Sequence, residues 1–493
     1  MSKSRSRHSV QRRRRRRRSS KKYSSLKRNL TGKIIVLIQF ILSCVFAGTV
    51  WYSGLIPAGY LAALLLSLLV IAGVLFGLQF IRSKIYIVGI VLSVLISIAL
   101  AVGTFYMIRA NQMMSDVGGA TYKTDNMVVA VRADDPAESL ADAADYTFGI
   151  QTSLDQENTQ KMVDKVQEEL GSEIDVKEYE TVQDEAQALL DGEIGAAIYN
   201  EAFTSVIEET IEDYSDQVRI LYQFSIETAI DQEETNVEEP FNIYISGIDV
   251  SGPITTTSRS DVNIIMTVNP NTHKILLTTT PRDYYVTIPG VSGNQRDKLT
   301  HAGIYGVDAS MSTLENIYGI DISYYARVNF TSLVKIVDVL GGVDVYSEYA
   351  FEARGYEFSE GINHMNGEQA LAFSRERYSF QDGDNQRGKN QEAVLTAILQ
   401  KAMSPAILLH ASELITSVSG SVETNMTRAE MAEFVNRQIS DGNSWKIESE
   451  AATGTGDSQA CYSSGTQKLY VMWPDDEVVA DISEKMQQVL NGR

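Results

Sequence analysis

Apolar residues are concentrated in three long runs near the start of the chain. The runs cover about Ile34–Trp51, Tyr60–Phe80 and Tyr86–Ile108, and each is close to the ~20 residues that a helix needs to cross a bilayer. Residues 1–33, which precede them, hold fifteen Lys and Arg and no acidic residue. This pattern predicts a basic leader followed by three membrane-spanning helices over residues 34–108.

The basic residues around the runs predict their orientation. Arg12–Arg18 lie before the first run, Arg82 and Lys84 lie in the second connection, and the first connection carries no charge. Because Lys and Arg are enriched in cytoplasmic loops, we expect a multi-pass protein of the cell membrane with a cytoplasmic N-terminus. Three crossings then place everything after Arg109 outside the cell.

Short β-rich segments alternate with helical patterns in the next region, residues 122–232. The predicted strands are Met127–Val131, Tyr146–Gln151, Ile174–Tyr179, Ala196–Tyr199 and Val218–Gln223, and the predicted helices include Thr159–Leu170 and Thr181–Leu190. The alternation indicates a small extracellular α/β accessory domain. Its acidic residues follow a helical spacing, which is more typical of a solvated face than of a site.

A second α/β region follows the acidic linker that ends at Pro240, a residue that marks a boundary because it cannot lie inside a helix. The predicted strands are Asn242–Ile248, Val262–Val268, His273–Thr280 and Ser323–Asn329, and the predicted helices are Val307–Ile317, Thr331–Leu340, Gly367–Phe373 and Lys389–Ala402. Polar residues stand where the strands begin or end, namely Asp249, Arg259, Asp261, Arg282 and Asp283. Ligand sites of open α/β sheets gather at such strand ends.

Charge and cysteine content indicate which partners and which cross-links to expect in the region after Arg109. From Arg109 onward, 26 Lys and Arg stand against all 63 Asp and Glu, a formal net charge of −37. Such an acidic region argues against nucleic acid as a partner, because duplex binding depends on basic contacts to phosphate. Cys44 lies in the first apolar run and Cys461 is the only cysteine of the external part, so we expect no disulfide there.

One basic cluster stands out in this acidic region. Between Leu371 and Gln391 the chain carries Arg375, Arg377, Arg387 and Lys389. A guanidinium is a planar fork that holds two phosphate oxygens, so two arginines at i and i+2 on an extended backbone suit a diphosphate. The alternative is that these residues are surface charges paired with their acidic neighbours, which are Glu376, Asp382 and Asp384.

The polar residues of the second region occur in a recognisable order. They form the motifs Gly247-Ile248-Asp249, Ser258-Arg259-Ser260-Asp261, Pro281-Arg282-Asp283, Lys298-Leu299-Thr300-His301-Ala302, Gly341-Gly342-Val343 and Phe373-Ser374-Arg375, continuing to Asp384, Arg387 and Gln391. In this order and behind membrane helices, the set resembles the LytR-CpsA-Psr family, and three spans with an accessory domain look like its capsule-associated branch. The resemblance covers about residues 240–405. It implies an α/β/α domain with a central mixed sheet flanked by helices, and we expect residues 406–493 to form a C-terminal extension packed on it.

The resemblance also implies an activity and a set of site residues. Members of the family move a glycopolymer from a polyprenyl-pyrophosphate carrier in the membrane onto peptidoglycan, with Mg²⁺, and other capsule-synthesis membrane proteins are expected partners. Carried over by position, the metal ligands are Asp249 and Asp261, the pyrophosphate ligands are Arg282, Arg375, Arg377 and Gln391, and the remaining catalytic residues are Arg259, Asp384 and Arg387.

The reaction needs little covalent work from the protein, since phosphoryl transfer depends mostly on positioning and on charge neutralisation. Asp384 is the first candidate for a general base and Asp283 the second. His301 is a suitable residue type, but a lone histidine in such a segment is more often packed. Apolar residues of the strands and of the last helix are candidates for a tunnel that holds the lipid tail, with ordinary core packing as the alternative; they are Ile264, Met266, Ile275, Leu277, Val394, Leu395, Ile398, Leu399 and Met403.

Two other functions fit the same sequence. One is a membrane-bound regulator or assembly organiser whose basic leader binds a cytoplasmic partner or nucleic acid, although only charge supports the latter. The other keeps the site and replaces the acceptor by water, which gives a lipid pyrophosphatase.

Overall fold

The computed structural model describes residues 30–81, 84–119, 122–230, 236–248, 254, 256–380, 383–402 and 422–493. The chain forms two compact units. One consists of the residues up to Gln112 together with Met431–Gly442, and the other consists of Met113–Glu430 together with Asn443–Arg493.

The first unit contains the three apolar runs, and all three are helices. They are α1 (Leu30–Ser53), α2 (Ala58–Leu78) and α3 (Ile85–Val117). Each is long and apolar enough to cross a membrane. Leu66 and Leu69 on α2 are exposed over 63% and 59% of their surfaces. A soluble fold would bury such side chains, so their exposure is what a lipid-facing helix requires.

The accessory domain is a five-stranded sheet covered on both faces. Its elements are β1 (Tyr122–Arg132), β2 (Thr147–Gln151), α4 (Gln156–Leu170), β3 (Asp175–Tyr179), α5 (Val182–Leu190), β4 (Ala196–Asn200), α6 (Thr204–Ile207), α7 (Tyr214–Gln217) and β5 (Val218–Ala229). The strand order is β3-β2-β4-β1-β5. Val128 and Val129 on β1 belong to different cores, one with α5 and one with α4. All the strands and helices predicted for this region are confirmed.

The main domain begins after Pro240 and is built on a mixed six-stranded sheet. Its elements up to residue 402 are β6 (Phe241–Ile248), β7 (Ser260–Asn269), β8 (Lys274–Thr279), β9 (Tyr285–Val286), β10 (Asp297–Lys298), α8 (Leu299–Ala302), α9 (Val307–Tyr318), β11 (Tyr324–Asn329), α10 (Phe330–Val339), β12 (Val343–Ser347), β13 (Phe351–Ala353), β14 (Tyr356–Phe358), β15 (Gly361–Met365), α11 (Gly367–Arg375) and α12 (Gly383–Ala402). The predicted strands and helices are again confirmed, with α12 beginning six residues earlier than predicted, at Gly383 rather than Lys389.

The chain then continues with β16 (Val422–Thr424), α13 (Arg428–Asp441), β17 (Lys446–Ala451), β18 (Gly454–Ala460), β19 (Lys468–Pro474) and α14 (Asp476–Leu490). The sheet order is β16-β11-β6-β7-β8-β17. The central sheet therefore extends past the boundary predicted at residue 405. Residues 422–493, the described part of the predicted C-terminal extension, do more than pack on the domain, because they supply both edge strands. The sequence did not indicate these strands, since β16 has three residues and β17 is a short, mostly polar segment with Ile447 and Ala451 as its apolar residues.

Helices cover both faces of this sheet, which gives the expected α/β/α architecture. Ile265 and Leu276 from the strands share a buried core with Leu314 of α9 and Ile482 of α14. On the opposite face, α10, α11 and α12 pack against one another around Phe373. The two faces differ because side chains on a strand alternate in direction.

The glycine pair of the sequence motif ends α10. Gly341 and Gly342 have φ of +72° and +82°, a region that residues with a side chain rarely adopt. A Cβ on Gly342 would also lie 2.9 Å from the carbonyl oxygen of Met365. The pair therefore turns the chain sharply from α10 into β12. This turn explains why the motif has glycine at both positions.

Candidate active site

A cavity of about 720 Å³ opens where the strand ends of the main domain meet the β18–β19 hairpin. Its walls combine charged side chains with glycines. The lining residues are Glu209, Arg282, Asp283, Lys298, Arg377, Gly383, Gly454, Gly456, Lys468, Leu469, Tyr470 and Met472. Two of the predicted phosphate ligands, Arg282 and Arg377, therefore face one space. The described lining does not include Arg259, Arg375, Arg387 or Gln391.

Arg282 is fixed by two carboxylates. It follows β8, and its Nη1 donates to Asp261 Oδ1 at 3.1 Å, while its Nε lies 3.7 Å from Asp283 Oδ2. Asp261 lies near the start of β7, which pairs with β8. The sheet thus brings together three residues that the sequence placed at strand ends, as expected for an α/β sheet.

The lysine of the Lys298-to-Ala302 motif lies beside this group. Lys298 Nζ is 2.9 Å from Glu209 Oε2 and 3.5 Å from Asp283 Oδ1, and the side chain is 8% exposed. Its ammonium points to the cavity that Arg282 and Arg377 also line. An anionic ligand would therefore meet three cationic groups, which is the arrangement that diphosphate binding requires.

His301 is packed rather than positioned as a base. It is fully buried, with Nδ1 2.7 Å from Asp297 Oδ1 and 2.9 Å from Ser463 Oγ. Burial by itself lowers the pKa of His301, but Asp297 and Glu209 outweigh burial and raise it to about 9. The imidazole is thus charged at neutral pH and cannot accept a proton there. His301 is therefore a packed residue, which was the alternative to a catalytic role.

The two arginines at i and i+2 face different surroundings. Arg375 is the last residue of α11, so the extended backbone needed for parallel side chains is absent there. Its guanidinium lies 4.0 Å from the centre of the Phe330 ring. Arg377 lines the cavity and donates from Nη2 to the hydroxyl of Tyr378 at 2.6 Å.

Helix α12 begins at the cavity with Gly383. The N-terminus of a 20-residue helix favours an anion through its free N–H groups and its dipole. Arg387 and Gln391 follow Gly383 at four-residue intervals, so the three share one face of α12. Both are partly buried. The side chain of Asp384 and the whole of Asp249 lie outside the described residues, so the predicted base and the predicted metal pair remain predictions.

The residues predicted to form a lipid tunnel lie on strands β7 and β8 and, where they are described, on helix α12. Met266 pairs with Leu277 and Val268 with Ile275 across β7 and β8. This register puts Ile264, Met266, Ile275 and Leu277 on the face opposite Ile265 and Leu276, which belong to the α9–α14 core. Val394 and Ile398 of α12 pack in the α10–α12 core. Ordinary core packing accounts for the contacts of Val394 and Ile398, and the tunnel stays a prediction; Met403 lies outside the described residues.

Glu392 is a buried acid on α12 that the sequence did not single out. Its Oε1 accepts a hydrogen bond from the backbone N–H of Thr279 at 3.0 Å. Burial, opposed in part by this bond, raises the pKa of Glu392 to about 8. The side chain is therefore largely protonated at neutral pH in the folded protein and ionised in the unfolded chain.

We expect Glu392 to make the protein less stable as pH rises. The folded state keeps one proton more than the unfolded state between pH ~4.5 and ~8, so the free energy of unfolding falls across that window, by on the order of 2–5 kcal/mol in total. Glu392→Gln should flatten the fall when thermal midpoints are measured from pH 5 to pH 8. The exposed Glu368 supplies the control, Glu368→Gln. Equal slopes in wild type and Glu392→Gln would contradict the assignment.

Glu209 of the accessory domain is one of several lining residues that no sequence pattern indicated. It lies between α6 and α7 in a polar segment, where an acid has no local pattern that separates it from its neighbours. Lys298 begins a sequence motif, but the motif by itself does not indicate what the side chain contacts. The hairpin residues Lys468 and Tyr470 belong to no such motif.

A family model described as the LytR_cpsA_psr family matches residues 198–486. A second model, described as DNA polymerase processivity factor, matches residues 83–199. That range joins helix α3 to four strands of the accessory domain and spans under a quarter of the chain, so it does not establish a second family.

Among the similar proteins is the polyisoprenyl-teichoic acid–peptidoglycan teichoic acid transferase TagU of Bacillus mycoides (strain KBAB4). It is 32% identical over 239 residues, which are 48% of this chain and 76% of TagU. The TagU of Enterococcus faecalis (strain ATCC 700802 / V583) is 36% identical over 203 residues, 41% of this chain and 66% of that protein. The crystal structure of B. subtilis TagU has 29% sequence identity and a TM-score of 0.40, and the match covers 51% of this chain and 97% of that one.

The family model covers more than half of the chain and includes every strand of the central sheet and the whole described lining of the cavity. This chain therefore belongs to the LytR-CpsA-Psr family.

Proposed function

We propose that the protein is a membrane-anchored phosphotransferase. It moves a glycopolymer, a capsular or another cell-wall polysaccharide, from a polyprenyl-pyrophosphate carrier to peptidoglycan. The observation that carries the proposal is the cavity in which Arg282, Lys298 and Arg377 meet the first residue of α12. The names of its TagU relatives as peptidoglycan teichoic acid transferases support the same reaction class.

The reaction proceeds by attack of a sugar hydroxyl oxygen of peptidoglycan on the phosphorus that carries the glycopolymer. A new phosphorus–oxygen bond forms, the bond to the bridging oxygen breaks, and its electron pair leaves with polyprenyl phosphate. Arg282 and Arg377 hold the non-bridging oxygens, and Lys298 faces the charge that grows on the leaving phosphate. Each charge-assisted contact contributes ~1.5–3 kcal/mol.

The hydroxyl proton needs an acceptor. Asp283 lines the cavity, but Arg282 and Lys298 flank its carboxylate at 3.7 and 3.5 Å. The Asp283 carboxylate is therefore engaged in two ion pairs that hold these cations in place. Asp384 stands at the start of α12, next to Gly383 in the cavity wall, and we propose it as the acceptor.

We propose that Mg²⁺ assists the reaction and is held by Asp261 and Asp249. Mg²⁺ binds carboxylate oxygens and keeps several waters, so two carboxylates suffice. Asp261 fits this role in chemistry, because its partly exposed carboxylate lies against the phosphate-facing Arg282. The described part of the chain has no group of three or more His, Cys, Asp or Glu side chains arranged around one point. The ion would neutralise charge on the diphosphate.

Changing Asp261 tests the metal assignment. In the full-length protein, Asp261→Asn is expected to lower Mg²⁺-dependent turnover by about 100-fold or more. It should also weaken Mn²⁺ binding measured by electron paramagnetic resonance, a readout independent of turnover. Asp344→Asn changes a carboxylate that is 70% exposed in the same domain and serves as the control. Unchanged Mn²⁺ binding in Asp261→Asn would refute the assignment.

The function itself is tested with full-length protein in lipid nanodiscs, a polyprenyl-pyrophosphate-linked saccharide, peptidoglycan fragments and Mg²⁺. Release of polyprenyl phosphate together with saccharide bound to peptidoglycan is the expected result. Release without attachment would identify a lipid pyrophosphatase instead, and no turnover would favour the regulator.

The proposal includes an orientation of the protein in the membrane. The basic leader and the charged second connection lie in the cytoplasm, and both α/β domains lie outside, on the side where peptidoglycan is found. The three apolar helices keep the protein in the membrane that holds the lipid carrier.

A further inference from the structure

Glu209 is the side chain by which the accessory domain contributes to the described lining of the cavity. This residue lies between α6 and α7, and the helices are anchored on either side of it. Ile207 and Tyr214 are fully buried in a core that also contains Ile304 of the main domain. Because the two domains share this core, the position of Glu209 is set by packing and not by a flexible tether.

Three cations of the main domain surround the Glu209 carboxylate. Lys298 Nζ lies 3.1 Å from Oε1 and 2.9 Å from Oε2. Arg259 Nη1 and His301 Nε2 each lie 3.4 Å from Oε1. The side chain of Glu209 is 17% exposed and lines the cavity beside Arg282 and Arg377.

The pKa of the Glu209 carboxyl indicates the sign of the electrostatic potential around it. Burial raises the pKa of this carboxyl, but His301 and Lys298 outweigh burial and lower it to about 2. The potential at this point is therefore strongly positive. A point of positive potential in a cavity that takes a diphosphate is a place where another anion would also bind.

We infer that Glu209 is an internal counter-anion of the diphosphate site. Its carboxylate holds Lys298 and Arg259 in the ligand-free protein, competes with the phosphate oxygens of the donor for Lys298, and so sets the affinity of the site. The inference rests on the proposed function for the nature of the ligand. It assigns the accessory domain a part in the active site, where its role is to limit how tightly anions bind.

Electrostatics fixes the direction of the effect. A carboxylate in the wall of an anion site repels the ligand and neutralises the cations that would bind it. Among the described residues, removing its charge leaves Asp283, at 3.5 Å, as the acidic contact of Lys298. Anion affinity should then rise, by about ten- to a hundredfold for a diphosphate at such short distances.

The probe is inorganic pyrophosphate, titrated into full-length protein in lipid nanodiscs by calorimetry, with and without Mg²⁺. Glu209→Gln keeps the size of the side chain and removes its charge. The expected result is a Kd about ten- to a hundredfold lower than that of wild type. Glu212→Gln is the matched control, because it removes the same charge from an exposed residue of the same segment. Its Kd should equal that of wild type.

A double-mutant cycle separates a specific contact from a change in overall charge. Lys298→Met should weaken pyrophosphate binding, and Glu209→Gln should have a smaller effect in the Lys298→Met background than in wild type. If Glu209→Gln does not fold, Glu209→Asp is used instead; its shorter side chain withdraws the charge from Lys298, and a lower Kd is again expected.

The outcomes distinguish this inference from the proposed function. If a folded Glu209→Gln protein binds pyrophosphate as tightly as wild type or more weakly, Glu209 is not a counter-anion. If the wild-type sample nevertheless shows turnover, the proposed phosphotransferase function is still supported. Binding that appears only in Glu209→Gln supports the counter-anion. No pyrophosphate binding and no turnover in any variant would reject both.

Discussion

Replacing Arg377 by lysine is expected to lower turnover about 10- to 100-fold and to leave the thermal midpoint unchanged. Lysine keeps the charge of Arg377 but loses the planar fork that grips two phosphate oxygens, and the loss of one charge-assisted contact costs ~1.5–3 kcal/mol. The side chain lines the cavity, and its described hydrogen bond is to the exposed Tyr378. An Arg in this setting contributes little to folding.

The control is Arg354→Lys, in the exposed turn between β13 and β14. It makes the same chemical change away from the cavity and should alter neither turnover nor midpoint. Full activity of Arg377→Lys would mean that Arg377 is a surface charge and not a phosphate ligand.

Arg375→Lys tests whether the second arginine also binds the donor phosphates. The stacking of Arg375 on Phe330 predicts a smaller loss of turnover than in Arg377→Lys. Equal losses would mean that both forks hold the donor and that Arg375 leaves Phe330 when the donor binds.

A second large effect is expected at the buried pair Arg327–Glu423. Arg327 Nη1 lies 3.2 Å from Glu423 Oε2, and each side chain is 5% exposed. Tyr325 donates to the same carboxylate at 2.9 Å. Burial raises the pKa of Glu423 even though Arg327 opposes it. Arg327→Met would leave this carboxylate buried without its charge partner, which typically costs ~3–5 kcal/mol of the free energy of unfolding.

Thermal or denaturant unfolding of full-length protein measures this loss. Lys165→Met breaks surface ion pairs with Glu168 and Glu169 and should leave the stability nearly unchanged. The double variant Arg327→Met/Glu423→Leu, which removes both charges, should recover most of the stability. A loss below ~1 kcal/mol in Arg327→Met would show that β16, which carries Glu423, is not integral to the sheet.

Family membership and the buried pair together explain why the domain does not end at residue 405. β16 and β17 complete the sheet on its two sides, and the β18–β19 hairpin forms one wall of the cavity. Truncation after α12 would remove both edges of the sheet and part of the site. The C-terminal segment is therefore part of the catalytic unit that we propose.

The sequence by itself determined the parts of this protein that depend on local patterns. Runs of about twenty apolar residues are a sufficient signal for helices long and apolar enough to cross a membrane. Period-two and period-3.6 alternation located the principal strands and helices of both domains. The strand-end residues Asp261, Arg282 and Asp283 were also predictable. A sheet gathers its strand ends at one edge whatever lies between them in the chain, and the structure joins these three by ion pairs.

Only the tertiary structure decided which charges meet. Glu209 and Lys298 are 89 residues apart and belong to different domains, and nothing in the polar segment around Glu209 indicates its contact with Lys298. The helical backbone through Arg375 separated two arginines that are two residues apart in the chain. β17 pairs with β8, far upstream. Such contacts depend on the packing of buried cores such as the one around Ile304, which fixes positions over distances that no local pattern encodes.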